Sequence, residues 1–326
     1  MASGYDCNTD DCLWSNVSNA TPTAGYMVED RAPQIGCWTA VISAVHLLIC
    51  VSGIIGNSCV IVVIARYTKT KTVTNLYIAN LAVADLCFLV GLPILVATTI
   101  LERWVFGDVV CRLFFASTLI NWFASMFILT VMSVDRYMAV CWPVASHYYR
   151  TLVVARVVCV GVWTTSILAM LPTMLYATAV QRAHAPPGRL TCTLRWPHAR
   201  LMSPDKAFIW YGFVLGFAGP VALIAVFYTL VVVRLRRIAA NRISQSHKAG
   251  ALSKSHARVT ALVLTVITVY VCCWLPFWAF QVQSLTNFNC TSSHDVDTSL
   301  YQFCMTAVKA HTNVLVLVVN SFSAKL

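Results

Sequence analysis

Asp135, Arg136 and Tyr137 close an apolar run that begins at Val109, and an ion pair at the edge of such a run can hold and release a neighbour but breaks no bond. Residues three and four places from Arg136 are mostly apolar, so its guanidinium is drawn inward and needs the adjacent carboxylate; a solvated charge at a helix end is the plainer alternative. Thr118, Asn121, Ser125 and Arg136 fall near one helical face at steps of three, four and eleven. From Thr118 to Arg136 such a helix covers about 27 Å, close to the hydrocarbon thickness of a bilayer, so one rod joins an outer cavity to the inner surface. Asp85 is a second acid within an apolar run, a functional position by default. Asn57 is its candidate partner, because an unsatisfied buried amide costs roughly 1 to 3 kcal/mol; a protonated Asp85 bonded to Asn57 is the bland reading. Bond-making chemistry has no support. The histidines, among them His46, His184, His198 and His311, form no H-E-x-x-H, and Cys272-Cys273 is not a C-x-x-C site, so no enzyme is expected.

The elements that must position these groups follow from composition. Of 326 residues 59% are hydrophobic and only 11% charged, a balance that a soluble domain could not keep dispersed. Apolar runs near the ~20 residues needed to cross a bilayer lie at 37–65, 73–100, 109–141, 152–177, 208–233, 259–282 and 300–319. An all-α bundle of seven membrane-spanning helices is therefore expected, with the lipid bilayer as its surroundings. The polar residues before Cys37 contain no apolar segment, so no cleavable signal is expected and the first span acts as the anchor.

Charge sets the orientation. The loop after the first span carries Arg66, Lys69 and Lys71, and the segment between the fifth and sixth carries Arg234, Arg236, Arg237, Arg242, Lys248, Lys254 and Arg258 without an acid. Those loops are cytoplasmic and the N-terminus is outside. Ten of the twelve acids, all but Asp85 and Asp135, then fall on the outer side. The net charge of +11 is mostly a topology signal, and without basic and aromatic interleaving it does not point to nucleic acid. The sequons at Asn16, Asn19 and Asn289 fall outside, where glycosylation occurs, which makes 1–36 an extracellular glycosylated segment and 37–326 the membrane domain. Six of the fourteen cysteines also lie there and could pair: Cys111 with Cys192, tying the loop between the fourth and fifth spans over the outer mouth, and less securely Cys7 with Cys12 and Cys290 with Cys304. Trp104 and Phe106 would pin the turn before Cys111 at the interface. Pro172, Pro220 and Pro276 each interrupt a span, and Pro276 would give the sixth a pivot just beyond Trp274.

Gly56-Asn57, Leu81-Ala82-Val83-Ala84-Asp85, Trp104-x-Phe106-Gly107, Cys111, Asp135-Arg136-Tyr137, Trp163, Pro220 and Cys273-Trp274-Leu275-Pro276, in this order, resemble the rhodopsin-like class of G-protein-coupled receptors. Within it, Thr74 to Ala82, Trp104 to Gly107 and Ser133 to Val140 are similar to somatostatin and opioid receptors, and most to the arthropod allatostatin C receptors. The resemblance implies a plasma-membrane neuropeptide receptor whose ligand enters from outside and biases a two-state bundle. It implies a pocket at Thr118, Trp122, Trp274, Phe277, Trp278, Gln281, Phe303 and Ala307. It also implies a switch at Asp135, Arg136, Tyr137, Tyr228 and Pro276, opening an inner cleft for the C-terminal helix of an inhibitory-class heterotrimeric G protein. With no acid between His247 and Thr260, Asp135 is expected to hold Arg136 nearly alone. Asp85, Asn57, Asn121, Ser125 and Asn313 offer five oxygen ligands to a sodium ion, an allosteric ion and not a cofactor.

Two departures qualify the match. Somatostatin and opioid receptors carry an aspartate where Thr118 stands, so this pocket should not demand a cationic ligand group; Arg182, Arg189, Arg195 and Arg200 in the outer loop would instead favour a carboxylate. The family's N-P-x-x-Y falls on Leu317, Val318 and Ser321, which removes one sodium ligand and puts coupling in doubt: the membrane domain is expected to be curtailed at the inner end of its seventh span. A curtailed receptor that binds peptide without signalling is thus one rival. A retinal photoreceptor is another, from Lys309, although opsins use the position of His311; a transporter is a third, without the inverted repeat such folds show.

Overall fold

The computed structural model describes residues 36–67, 72–181, 188–197, 204–240, 261, 264–265, 267–279 and 281–282. The helices are α1 (Cys37–Val62), α2 (Val73–Leu89), α3 (Leu92–Leu101), α4 (Gly107–Cys141), α5 (Pro143–Tyr149), α6 (Leu152–Tyr176), α7 (Pro204–Phe213), α8 (Gly219–Ala240) and α9 (Ile267–Ala279). By length and composition five stretches can cross a membrane: Thr39–Arg66, Val73–Leu101, Gly107–Cys141, Leu152–Tyr176 and Lys206–Ile238. They coincide with the first five expected spans to within a turn or so. The sixth is represented by α9, and the expected seventh lies outside the described residues, as do Asn16, Asn19, Asn289, Cys7, Cys12, Cys290 and Cys304.

Local chemistry explains where helices start and bend. Thr72 and Thr151 sit in extended backbone and accept hydrogen bonds from the amides of Asn75 and Val154, both at 3.2 Å, capping α2 and α6. Pro220 lacks the N–H that would reach back to Gly216. One turn earlier the chain widens into a π-helical stretch, Val214–Ala218, where the Gly219 amide bonds the Val214 carbonyl five residues back. α7, that stretch and α8 therefore form one span.

α4 is the axis, packing against α2, α6 and α8. Its buried face includes Phe123, Met126, Ile128, Leu129 and Met132. Against it lie Leu81 and Tyr77 of α2, Ala155 and Cys159 of α6, and Ile224 and Tyr228 of α8. The outward faces are apolar as well: Val153, Val157, Val160, Leu168 and Leu175 of α6 are exposed, as expected where lipid is the solvent.

At the outer end β1 (Ala177–Gln181) and β2 (Leu190–Leu194) pair antiparallel, with Ala179 opposite Cys192. Cys192 is bonded to Cys111 at the start of α4. Asp108 reinforces the junction by accepting from the Ala179 amide at 2.9 Å. Trp104 stands edge-on to Phe106 at 5.3 Å between ring centres, donates from Nε1 to the Gly107 carbonyl at 2.7 Å, and its amide bonds Leu190 of β2 at 2.7 Å. Gly107, at φ 77°, takes the left-handed turn that starts α4. Because the bridge closes a separation of 81 residues, Cys192→Ser is expected to lose about 2–4 kcal/mol of stability. A thermal melt of purified protein superimposable on wild type would contradict that.

Candidate functional site

Three stations lie along α4, two polar and one aromatic. At the inner end the Asp135 carboxylate accepts from Arg136 Nη2 at 2.7 Å. It also accepts from Arg150 Nε at 2.7 Å and from Arg150 Nη2 at 3.1 Å. The same Arg136 Nη2 donates to the Thr74 hydroxyl of α2. Side-chain exposures of 5% for Asp135, 8% for Arg136 and 26% for Arg150 place the pair inside the fold and the second arginine at its rim. The short α5 delivers Arg150: Pro143 starts it, and the Arg150 amide closes it on the Ser146 carbonyl. This corrects the expectation that Asp135 holds Arg136 nearly alone: Thr74 holds Arg136 as well, and Asp135 is shared between Arg136 and Arg150.

Tyr137 points away from that pair, its ring 5.4 Å from Phe227 and its hydroxyl accepting from Trp142 Nε1 at 3.1 Å. Tyr228 is buried, and among the described residues its hydroxyl has no hydrogen-bond partner. It faces the Arg136 region from α8, as a group that a rearrangement could engage. Pro276 lies within α9, with exposed surface.

Halfway along the rod, Asp85 Oδ1 accepts from Asn121 Nδ2 at 3.1 Å, and the same amide reaches Ser125 Oγ at 3.4 Å. The Asn57 amide instead donates to the Gly53 carbonyl one turn back at 3.0 Å, and the candidate Asn57–Asp85 bond is not formed. Asp85 Oδ2 has no hydrogen-bond partner among the described residues although Asp85 is almost wholly buried. An orphaned carboxylate oxygen beside an amide and a hydroxyl fits a hard cation. Asn313 lies outside the described residues. Nearby, Trp163 Nε1 donates to Asn80 Oδ1 at 3.0 Å and ties α6 to α2.

Toward the outer leaflet an aromatic cluster joins α4, α9 and the span of α7 and the π-helical stretch, which adds Phe213 and Phe217. Trp122 stacks on Trp274 at 5.6 Å and packs on Trp278 at 5.3 Å, with Phe123 at 4.6 Å. Phe277 is edge-on to both Trp274 and Trp278. Trp122 and Trp278 are buried, at 6% and 4% exposure, while Thr118, Trp274, Phe277 and Gln281 are half-buried and reachable. Trp122 is a wedge between helices more than a wall of a cavity. The reason is a pair of glycines: a Cβ at Gly212 would lie 2.9 Å from the indole, and one at Gly216 only 2.4 Å. Two glycines four apart leave a slot on one face of the span, a spacing visible in the sequence yet unremarkable without its indole. Thr118 donates to the Phe114 carbonyl at 2.9 Å, so its hydroxyl already has a partner. In the outer loop Arg189 pairs loosely with Glu102 at 3.4 Å and Arg195 is exposed, whereas Phe303, Ala307, Arg182 and Arg200 lie outside the described residues.

A helical axis with an ion pair at one end and an aromatic nest at the other can be set against known proteins. Residues 56–314 match the 7 transmembrane receptor (rhodopsin family). Somatostatin receptor type 2 of Mus musculus is 40% identical over 247 residues, 76% of this chain and 64% of that protein. Type 4 of Rattus norvegicus is 38% identical over 290 residues, 87% and 73% respectively. Type 3 of Homo sapiens is 39% identical over 272 residues, 83% and 61%. The matched part thus spans somewhat under two thirds of the type 2 and type 3 relatives. With the match covering most of the chain and running through all three stations, the protein belongs to the rhodopsin family of seven-transmembrane receptors, multi-pass membrane proteins and not enzymes.

Proposed function

We propose that this chain is a plasma-membrane receptor for an extracellular neuropeptide of the somatostatin and allatostatin C kind, acting through an inhibitory-class heterotrimeric G protein. The observation that carries the reading is the buried Asp135–Arg136 pair, with Arg150 at its rim, at the opposite end of α4 from the Trp122–Trp274 stack. One rigid element then carries both a ligand-side contact and a partner-side charge. The relatives' names supply the ligand class, since each is a somatostatin receptor. Thr118 narrows it: with a hydroxyl already bonded to its own helix and no acid at that position, the pocket offers no anion there to a lysine or amine. A disulfide-closed peptide without that cation fits better, its C-terminal carboxylate meeting the arginines of the outer loop. Glycans at Asn16 and Asn19 belong to the same extracellular picture.

The test is a panel of cyclic and linear neuropeptides, assayed first for binding and then for G-protein activation. Binding of an allatostatin C type peptide with inhibitory-class activation is the expected result; no binding by any somatostatin-like ring overturns the ligand assignment. Binding without activation favours the second reading, a receptor without output, for which Leu317, Val318 and Ser321 in place of the family's N-P-x-x-Y speak.

Asp85, Asn121 and Ser125 would hold the sodium ion, with Asn57 and Asn313 as further ligands. Sodium chloride in place of the larger choline salt is expected to raise the melting temperature of the purified receptor, and Asp85→Asn to abolish the difference. Equal melts in the two salts for the wild type would remove the ion from the proposal.

A further inference from the structure

A cavity of about 380 Å³ lies on the inner half of the bundle, away from both the aromatic nest and the sodium candidate. Its walls are Val131, Val134 and Met138 of α4 and Val154 and Val158 of α6, closed behind by Tyr77 of α2. Asp135 and Arg150 line it too, with Thr130 and Thr151, and the remaining surface is apolar. Val154 and Tyr149 on the rim are exposed, and so are Val153 and Val157 beside it, so the opening faces hydrocarbon near the cytoplasmic interface. A volume at the small end of ligand pockets, about 300–1,000 Å³, suits one chain and not two.

The charge of Asp135 and Arg150 selects the head of that chain. Asp135 is matched by two arginines, which leaves one positive charge in excess, and Arg150 is the more exposed of the two. α6 begins immediately after it, and the amides of that first turn not taken by the Thr151 cap add the positive end of a helix to the same corner.

We infer that this cavity binds a single-chain carboxylate amphiphile from the inner leaflet, a long-chain fatty acid, with its head on Arg150 and the first turn of α6 and its chain between α4 and α6. The bound carboxylate competes with Asp135 for Arg150, so occupancy loosens one of the two arginines that the acid holds. Binding itself does not depend on which peptide the outer end receives, and the two can fail separately.

The probe is a palmitate analogue carrying a diazirine, irradiated with the full chain in nanodiscs of phosphatidylcholine and mapped by mass spectrometry. Saturable labelling is expected on the α4 and α6 segments that line the cavity. Oleate should compete about tenfold better than oleyl alcohol of the same chain, the worth of one charge-assisted hydrogen bond. Arg150→Gln should erase that preference, Arg150→Lys should retain it, and Val158→Trp should remove the labelling while the thermal melt stays that of wild type. Competition on the unmodified chain decides the matter even where a variant fails to fold. Labelling that does not saturate, equal competition by the alcohol, or phosphatidylserine competing as well as oleate would each overturn the proposal.

Discussion

Gly216→Ala is expected to destabilise the receptor by about 1–3 kcal/mol, a large effect for one methyl group in a membrane-spanning helix. The methyl carbon would sit 2.4 Å from Cζ2, 2.8 Å from Cη2 and 2.9 Å from Cε2 of Trp122. The indole has nowhere to retreat, because Phe123, Trp274 and Trp278 occupy its other sides with ring centres at 4.6, 5.6 and 5.3 Å. Gly212→Ala, whose nearest approach is 2.9 Å, should follow in the same direction with a smaller loss. Shrinking the wedge restores room: Trp122→Leu in the Gly216→Ala background should recover part of the stability, with a coupling of roughly 0.5–3 kcal/mol in a double-mutant cycle. Thermal unfolding of the four proteins in one detergent measures it. Strict additivity would mean that the two side chains do not share the slot.

The same slot has a consequence for motion. Trp122 belongs to α4, its glycines to the span that contains α8, and its stacked partner Trp274 to α9. α9 therefore cannot shift against α4 without giving the indole a new arrangement, and close-packed interiors change between discrete packings more readily than they deform. In the proposed mechanism a ligand that displaces Trp274 or Phe277 acts on this joint first.

How much of this was legible in the sequence depends on the range of the interaction. The first five spans were, because hydrocarbon thickness demands a run length that composition displays directly. So was the Cys111–Cys192 bridge, as a choice among few extracellular cysteines. Of the candidate contacts, Asn57 with Asp85 did not form, for a local reason. An amide in a helix always has its own carbonyl one turn back within reach, and here Gly53 outcompeted the more distant Asp85, which found Asn121. Arg150 escaped because it reaches Asp135 across a 15-residue turn, where no periodicity connects them. The slot at Gly212 and Gly216 needed three dimensions, since the residue that explains it lies on another helix.

Arg150 changes what removal of its acid should do. Asp135→Asn keeps the shape but turns one of the two accepting oxygens into an N–H donor facing a guanidinium, and deletes the one charge that two guanidinium groups share at exposures of 8% and 26%. Breaking a buried ion pair from one side costs roughly 3–5 kcal/mol, since the surviving charge stays desolvated. In the proposed mechanism that cost falls on the resting arrangement, and a state in which Arg136 turns toward the G protein escapes it. Two results should therefore appear together, a lower melting temperature and a raised basal rate of nucleotide exchange on the G protein at matched surface density. Arg150→Ala makes a graded control. It leaves Asp135 and Arg136 paired at 2.7 Å and removes the more exposed partner, so both effects should be present and smaller. A lower melting temperature with an unchanged baseline, in a receptor that still answers its ligand, would show that the group holds the fold together without governing the switch.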